Sequence, residues 1–264
     1  MSGFLLRLAG PLQSWGEHSA YGMRDTLAFP TRSGLIGMFA AAQGLPRGAD
    51  LSPYAPLRIT VRLDRPGTRM VDYHTAGGGV PASRTVPTAE GKRKGAEVAT
   101  IVTERSYLAG AVFTVAVEAP LELVATITAA LRRPHWQPYL GRRSHIPDPP
   151  LLLRQQVEDP RTELRTRVPL PVPERPRARR DGGVTVDFVH EGEPVSSAPS
   201  AERRTRHTLN DIPHTFDAQR RSYATRAVTV LPEELPAALC RWRDHKHYLE
   251  TLYQYAAEGT WNSG

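Results

Sequence analysis

The chain has 264 residues, 34 Lys and Arg against 27 Asp and Glu for a net charge of +7, and a single cysteine, Cys240. That length can bury a sizeable core unaided, and one thiol excludes both a disulfide framework and a cysteine metal site, as suits a reducing cytoplasm. With no charged leader before an apolar run and no stretch of eighteen apolar residues, a cytoplasmic protein without a membrane span is expected. The cationic excess favours a polyanionic partner. Apart from Lys92, Lys94 and Lys246 the bases are all arginine, whose planar fork suits phosphate and guanine edges, although a GC-rich genome produces the same bias.

Residues 4–8 read as a buried central strand ended by Gly10 and Pro11. A polar loop leads to an apolar helix over 33–43, capped by Thr31 or Ser33 and closed by Gly44. Residues 58–63 alternate with period two, and residues 70–74 are expected to continue the same sheet after a turn at Pro66 and Gly67. From 75 to 98 the pattern breaks into a glycine-rich excursion carrying Lys92, Arg93 and Lys94, too poor in apolar residues for a core of its own. A strand over 107–118, an amphipathic helix over 121–133 stopped by Pro134, and a strand over 151–157 complete the order βαββαβ. This predicts an α+β chain with a ferredoxin-like (RRM-like) palm over residues 1–158. Pro and Arg then mark 159–183 as a linker or arm, 184–231 as a small mainly-β lobe, and 232–264 as a C-terminal helix and tail, with Leu235, Leu239, Trp242, Leu249 and Tyr253 near helical spacing.

No phosphate loop, nucleophile elbow or HExxH motif occurs, and no spaced Cys, His or Asp cluster that would hold zinc or magnesium. No catalytic residue, metal or cofactor is therefore expected. His245 and His247 lie two apart and project to different helix faces, and Cys240 reads as a buried apolar thiol. Three loops could meet RNA. After the first strand, Trp15 can stack a base while Gln13 and Ser14 read its edges, or Trp15 can pack over the end of the sheet. At the start of the first helix, Arg32 lies between hydroxyls and open N–H groups that would welcome phosphate; ordinary capping explains the hydroxyls but not the arginine. Gly141, Arg142, Arg143 and Ser144 form a glycine turn with an arginine pair, either a phosphate grip or a solvated basic turn.

The blocks LRLAGPLQSWG (6–16), FPTRSGLIG (29–37), DYHT (72–75), RxYLxxAxFTVA (105–116) and PYLGRRS (138–144), with a weaker RRSYATR (220–226), are together specific. They resemble the CasD family of type I-E Cascade, within the RAMP superfamily, well over residues 3–157 and loosely over 184–230. The resemblance implies a β-hairpin thumb inserted into the palm at about 76–105 and a non-catalytic grip on the 5′ handle of the CRISPR RNA. It implies as partners the adjacent backbone subunit and the large subunit, with target DNA reached indirectly through the complex, and no membrane. On this chain Gln13, Ser14, Trp15, Arg24, Arg32, Arg105 and Tyr107 are then expected near the handle bases, with Tyr73 and His74 on the same RNA surface. Arg142, Arg143 and Ser144 are expected on phosphate, and Lys92, Arg93 and Lys94 on the guide or a neighbouring subunit. A rival reading comes from a sister subtype whose member cuts repeat RNA without metal, using Tyr, His and Lys; Tyr73 and His74 could supply part of that set, His74 acting on a 2′-hydroxyl.

Overall fold

The computed structural model describes residues 2–17, 22–76, 79–85, 88, 90–93, 95, 99–171, 183–192, 204–217 and 220–258. Its first strand, β1 (Gly3–Ala9), is buried along its whole length, because both faces of the sheet are covered. Phe4, Leu6 and Leu8 point into one apolar cluster and Leu5 into another. Two short strands follow, β2 (Leu12–Gln13) and β3 (Met23–Arg24), and then helix α1 (Arg32–Ala42). Thr31 caps α1 by accepting from the Gly34 N–H at 3.2 Å, satisfying one of the open donors of the first turn. Strand β4 (Arg58–Arg65) returns to the sheet beside β7 (Val112–Glu118). Helix α2 (Leu121–Arg132) buries Val124, Ile127, Thr128 and Leu131 at helical spacing, and β8 (Leu152–Val157) closes the sheet's far edge.

Between β4 and β7 the chain leaves this sheet. Strand β5 (Thr68–Ala76) and strand β6 (Ile101–Ala109) pair antiparallel from Thr68↔Ala109 to Ala76↔Ile101, and β2 and β3 also pair with β6. The expected single strand over 107–118 is two strands in different sheets, divided at Gly110, whose φ of +65° is left-handed backbone that glycine adopts without a Cβ penalty. Residues 70–74 likewise do not continue the first sheet. The hairpin spans 68–109, wider than the expected 76–105, and the excursion joins its far ends.

Residues 183–236 do not form a separate small lobe. Strands β9 (Gly183–Glu191), β10 (Thr205–Thr215) and β11 (Ser222–Pro236) extend the first sheet into seven strands in the order β10-β11-β9-β4-β7-β1-β8. The join is an antiparallel ladder of Thr60, Val61 and Arg62 on His190, Val189 and Phe188. Two further corrections concern the end of the chain. Residues 160–171 are no arm: Asp159 caps a short helix, α3 (Pro160–Thr166), whose Leu164 is buried with Val168 and Leu170. The C-terminal helix α4 (His245–Ala257) starts well after Pro232, capped by Asp244 and buried through Tyr248, Leu252 and Tyr255. Leu235 belongs to β11 and Leu239 to a following turn. Helices α1 and α2 thus cover one face of the sheet, and α3 and α4 the other. No helix among the described residues is long and apolar enough to cross a membrane.

Candidate nucleic-acid interface

The loop after β1 is a structural pin. Gln13 is fully buried; its Nε2 donates to the carbonyls of Leu8 at 3.0 Å and Ala111 at 2.8 Å, and its Oε1 accepts from Trp15 Nε1 at 3.0 Å. Trp15 is 1 % exposed, and a Cβ on Gly34 would sit 2.9 Å from its ring, so the indole lies tight against the first turn of α1. Ser14 Oγ donates to the Ser106 carbonyl at 3.2 Å. None of the three presents a free edge or ring to a base, which corrects the expectation of a reading loop.

Arg32 is also internal. Its Nη1 donates to both carboxylate oxygens of Glu191 and to the Leu57 carbonyl, its Nη2 to the carbonyls of Tyr54 and Ala55. The Arg32 N–H at the helix start is taken by Asp211 Oδ2 at 2.7 Å. Arg226 clamps Asp211 and reaches Glu191 in turn. The helix terminus expected to receive phosphate is therefore filled by the protein's own carboxylates.

A different group of arginines converges at the base of the hairpin. Arg24 on β3 lies opposite Arg105 on β6 in a parallel register. Arg142 reaches the same face of β6, its guanidinium carbon 4.5 Å over the Tyr107 ring. It is held there by Gly141, where a Cβ would fall 1.6 Å from the Ser14 carbonyl and where φ is +86°. Glycine is required at that crossing, for an approach to Ser14 and not to phosphate. Arg142 donates weakly from Nη2 to the Ser106 carbonyl at 3.4 Å and interacts with Tyr107, while its Nη1 is buried without a partner. Burial, then the charges of Arg105 and Arg24, hold the Arg142 guanidinium below its usual range, against the pull of Tyr107. Three arginines are gathered on a face where Asp72, opposite Arg105 in the ladder, is the facing acid, and the excess of positive charge favours an incoming anion.

The remaining expected residues divide around this cluster. Tyr107 is buried between Arg142 and His145, the latter edge-on with ring centroids 5.3 Å apart, so it has no face left for a base. Its hydroxyl meets His74 Nε2 at 2.6 Å, and Asp72 Oδ2 lies 3.0 Å from the same nitrogen. Burial, with a further push from Arg142, holds the His145 imidazole below its ordinary value despite the Leu140 carbonyl. Arg105 donates Nε to Thr103 Oγ1 at 3.0 Å. Arg143 and Ser144 are exposed beside the cluster, and Tyr73, 69 % exposed, projects from the other face of the hairpin. Lys92 and Arg93 lie in the excursion, with Arg93 Nη1 on the Thr85 carbonyl, while Lys94 lies outside the described residues. Sequence reading missed His145 beside Tyr107, and Arg69, whose Nη2 donates to Ser106 Oγ at 3.3 Å on the opposite face of the hairpin. Starting β5 two residues earlier on its period-two pattern would have included Arg69. No group of three or more His, Cys, Asp or Glu among the described residues could hold a metal.

Comparison with known proteins agrees with this architecture. The family model described as CRISPR-associated protein (Cas_Cas5) matches residues 3–229. The CRISPR system Cascade subunit CasD of Escherichia coli (strain K12) is 36% identical over 175 residues, 61% of this chain and 74% of that one. A chain of a CRISPR RNA-guided surveillance complex superposes with a TM-score of 0.84 at 54% identity, covering 97% of this chain and 99% of that chain. The crystal structure of a Cas protein gives a TM-score of 0.59 at 29% identity, covering 90% and 97%. A family match over most of the length, with this identity to a Cascade subunit, establishes that the chain belongs to the CasD/Cas5 family of CRISPR-associated proteins.

Proposed function

We propose that this chain is a non-catalytic subunit of a type I-E Cascade that holds the 5′ handle of the CRISPR RNA at the base of its hairpin. The observation that carries the reading is the convergence of Arg24, Arg105 and Arg142 on one face of β6, with a buried Arg142 donor unmet by protein. A polyphosphate strand supplies the missing acceptors. In the strand order β8-β1-β7-β4 with two crossover helices on one face, the core corresponds to the ferredoxin-like palm, and the 68–109 hairpin to the thumb.

The two faces of the hairpin suit two partners. By register, Arg105 and His74 share the face with the arginine cluster, while Val71, Tyr73 and Val102 share the opposite one with Met23. These four are among the more exposed large apolar residues of the chain, a surface suited to a protein neighbour. We assign it to the adjacent backbone subunit, with the large subunit and the target DNA engaged through the assembled complex.

Against the nuclease alternative, Tyr73 and His74 are consecutive strand residues and project to opposite faces, so they cannot act on one phosphodiester together. The purified chain is expected to bind RNA carrying the handle and leave its length unchanged with or without EDTA. Single-turnover cleavage that vanishes in His74→Ala would overturn the non-catalytic reading.

A further inference from the structure

A cavity of about 240 Å³ lies where β1 ends on the α4 side of the sheet, with Arg7, Arg65, Gly110, Asp148, His245 and Tyr248 in its wall. Arg7 is the unusual member. It alternates with Leu6 and Leu8 on a central strand, so its side chain enters the layer between sheet and α4 and is only 5% exposed. Its Nε and Nη1 are buried with no hydrogen-bond partner. The nearby acid is committed elsewhere: Asp64 accepts from Arg62 Nε at 2.6 Å and from Thr114 Oγ1 at 2.6 Å. Burial holds the Tyr248 hydroxyl above its ordinary range even with Arg7 beside it, so it stays neutral and supplies no counter-charge. Asp148 is exposed and forms no ion pair with Arg7 among the described residues.

Of the two guanidinium groups in this buried region, Arg62 takes up Asp64, and Arg7 has no ion pair among the described residues, leaving a positive charge that folding alone does not balance. The larger cavity, about 670 Å³ beside Arg32, is different in kind. There Arg32 and Arg226 are matched by Glu191 and Asp211. An uncompensated buried guanidinium opening on a small cavity calls for a compact oxyanion that accepts several N–H donors at once.

We propose that this cavity is a binding site for a phosphate group, anchored by Arg7 and walled by His245 and Arg65, sharing no residue with the Arg24, Arg105 and Arg142 cluster. The group is either free phosphate or a phosphodiester of bound RNA, and the cavity is smaller than those that take drug-sized ligands.

Inorganic phosphate is the probe, titrated into the purified full chain at constant ionic strength with chloride as the balancing anion. A ligand that binds only the folded state raises the melting temperature with concentration, here by roughly 3–6 °C at saturating phosphate. Arg7→Met, which keeps the length of the side chain without its charge, should melt at or above the parent in phosphate-free buffer and lose the response. Should Arg7→Met fail to fold, the exposed His245→Ala decides, with an expected several-fold weaker apparent affinity for phosphate. A parent melting temperature indifferent to phosphate, an unchanged response in Arg7→Met, or an unchanged response in His245→Ala where it is the deciding variant, overturns the proposal. Loading the chain with handle RNA separates the sources: a phosphate response that disappears means the RNA fills the site, and one that persists means free phosphate does.

Discussion

Arg32 and Arg142 occupy loops that look alike in sequence, each an arginine beside glycine and a hydroxyl, yet the fold treats them oppositely. Arg32 is enclosed by two carboxylates and three carbonyls drawn from other elements. Arg142 is set on the Tyr107 ring with one distant carbonyl and two arginines for company. The difference lies in where acid is delivered. Strands β9 and β10 bring Glu191 and Asp211 to the start of α1, and among the described residues no carboxylate pairs with the Arg142 guanidinium. An arginine is available to nucleic acid where the fold withholds a carboxylate, and arginine content by itself does not mark such a place.

The largest effect that tests this contrast is on stability. Arg32→Ala takes the guanidinium from Glu191 and from three carbonyls in a buried network, while Asp211 keeps the residue-32 N–H, at a cost of about 3–5 kcal/mol. At roughly 2–4 °C per kcal/mol for a chain of this size, the melting temperature should fall by at least ~6 °C. Affinity for handle RNA, measured on the fraction still folded, should be unchanged. Trp15→Ala belongs to the same class, since an indole removed from a packed core costs about 3–5 kcal/mol. If either variant melts like the parent and loses RNA binding instead, the loop after β1 faces the handle and the pin described above is wrong.

An intermediate effect, of the opposite kind, is expected for Arg142→Ala. The variant gives up a weak hydrogen bond to the Ser106 carbonyl and the contact with Tyr107 but also relieves repulsion with Arg105 and Arg24, so its stability should change by no more than about 1 kcal/mol. Its affinity for handle RNA should fall roughly tenfold, and the dependence of affinity on salt should lose about one unit of slope, as for removal of one phosphate contact. Titration at several salt concentrations beside a melting curve makes the comparison. Loss of stability without loss of affinity would make Arg142 a second Arg32.

The sequence carried the local features of the molecule and not its distant pairings. Helix α1 falls where Thr31 and Gly44 mark its ends, and β4, α2 and β8 start within a residue of their period-based expectations, because caps and periodicity act over one or two turns. The division at Gly110 was hidden: the apolar alternation of residues 107–118 is continuous, and only the positive φ sends its two halves into different sheets. The junction of β4 with β9 pairs residues near 60 with residues near 190, a register that no local pattern encodes. The same limit decides the candidate site. Gln13, Trp15 and Arg32 matched the chemistry of RNA contact, but their partners at Ala111, Glu191 and Asp211 come from elements far along the chain. Arg24, Arg105 and Arg142 entered through block resemblance and a glycine turn, and their convergence appears only once β3, β6 and the 138–144 loop are assembled around Tyr107.

The smallest effect is expected at the far end of the hairpin. Lys92 and Arg93 are exposed, and Arg93 is tied to the Thr85 carbonyl of its own excursion. Replacing both with Ala removes two charges from the surface and one local hydrogen bond, a change that usually stays within about 0.5 kcal/mol per site. The double variant should therefore melt within a few degrees of the parent. These side chains belong to the excursion that joins the ends of β5 and β6 farthest from Gly110, and exposed charges act weakly beyond about 10 Å at 0.1 M salt. Handle affinity should then weaken less than roughly threefold, well short of the tenfold loss expected for Arg142→Ala. On the proposed function, guide phosphate or an acidic neighbour would meet them in the assembled complex, and the deficit should appear there as a salt-sensitive loss of incorporation. A binding loss in the isolated chain equal to that of Arg142→Ala would move the handle from the base of the hairpin to its tip. It would also remove the reason for treating the three convergent arginines as the site.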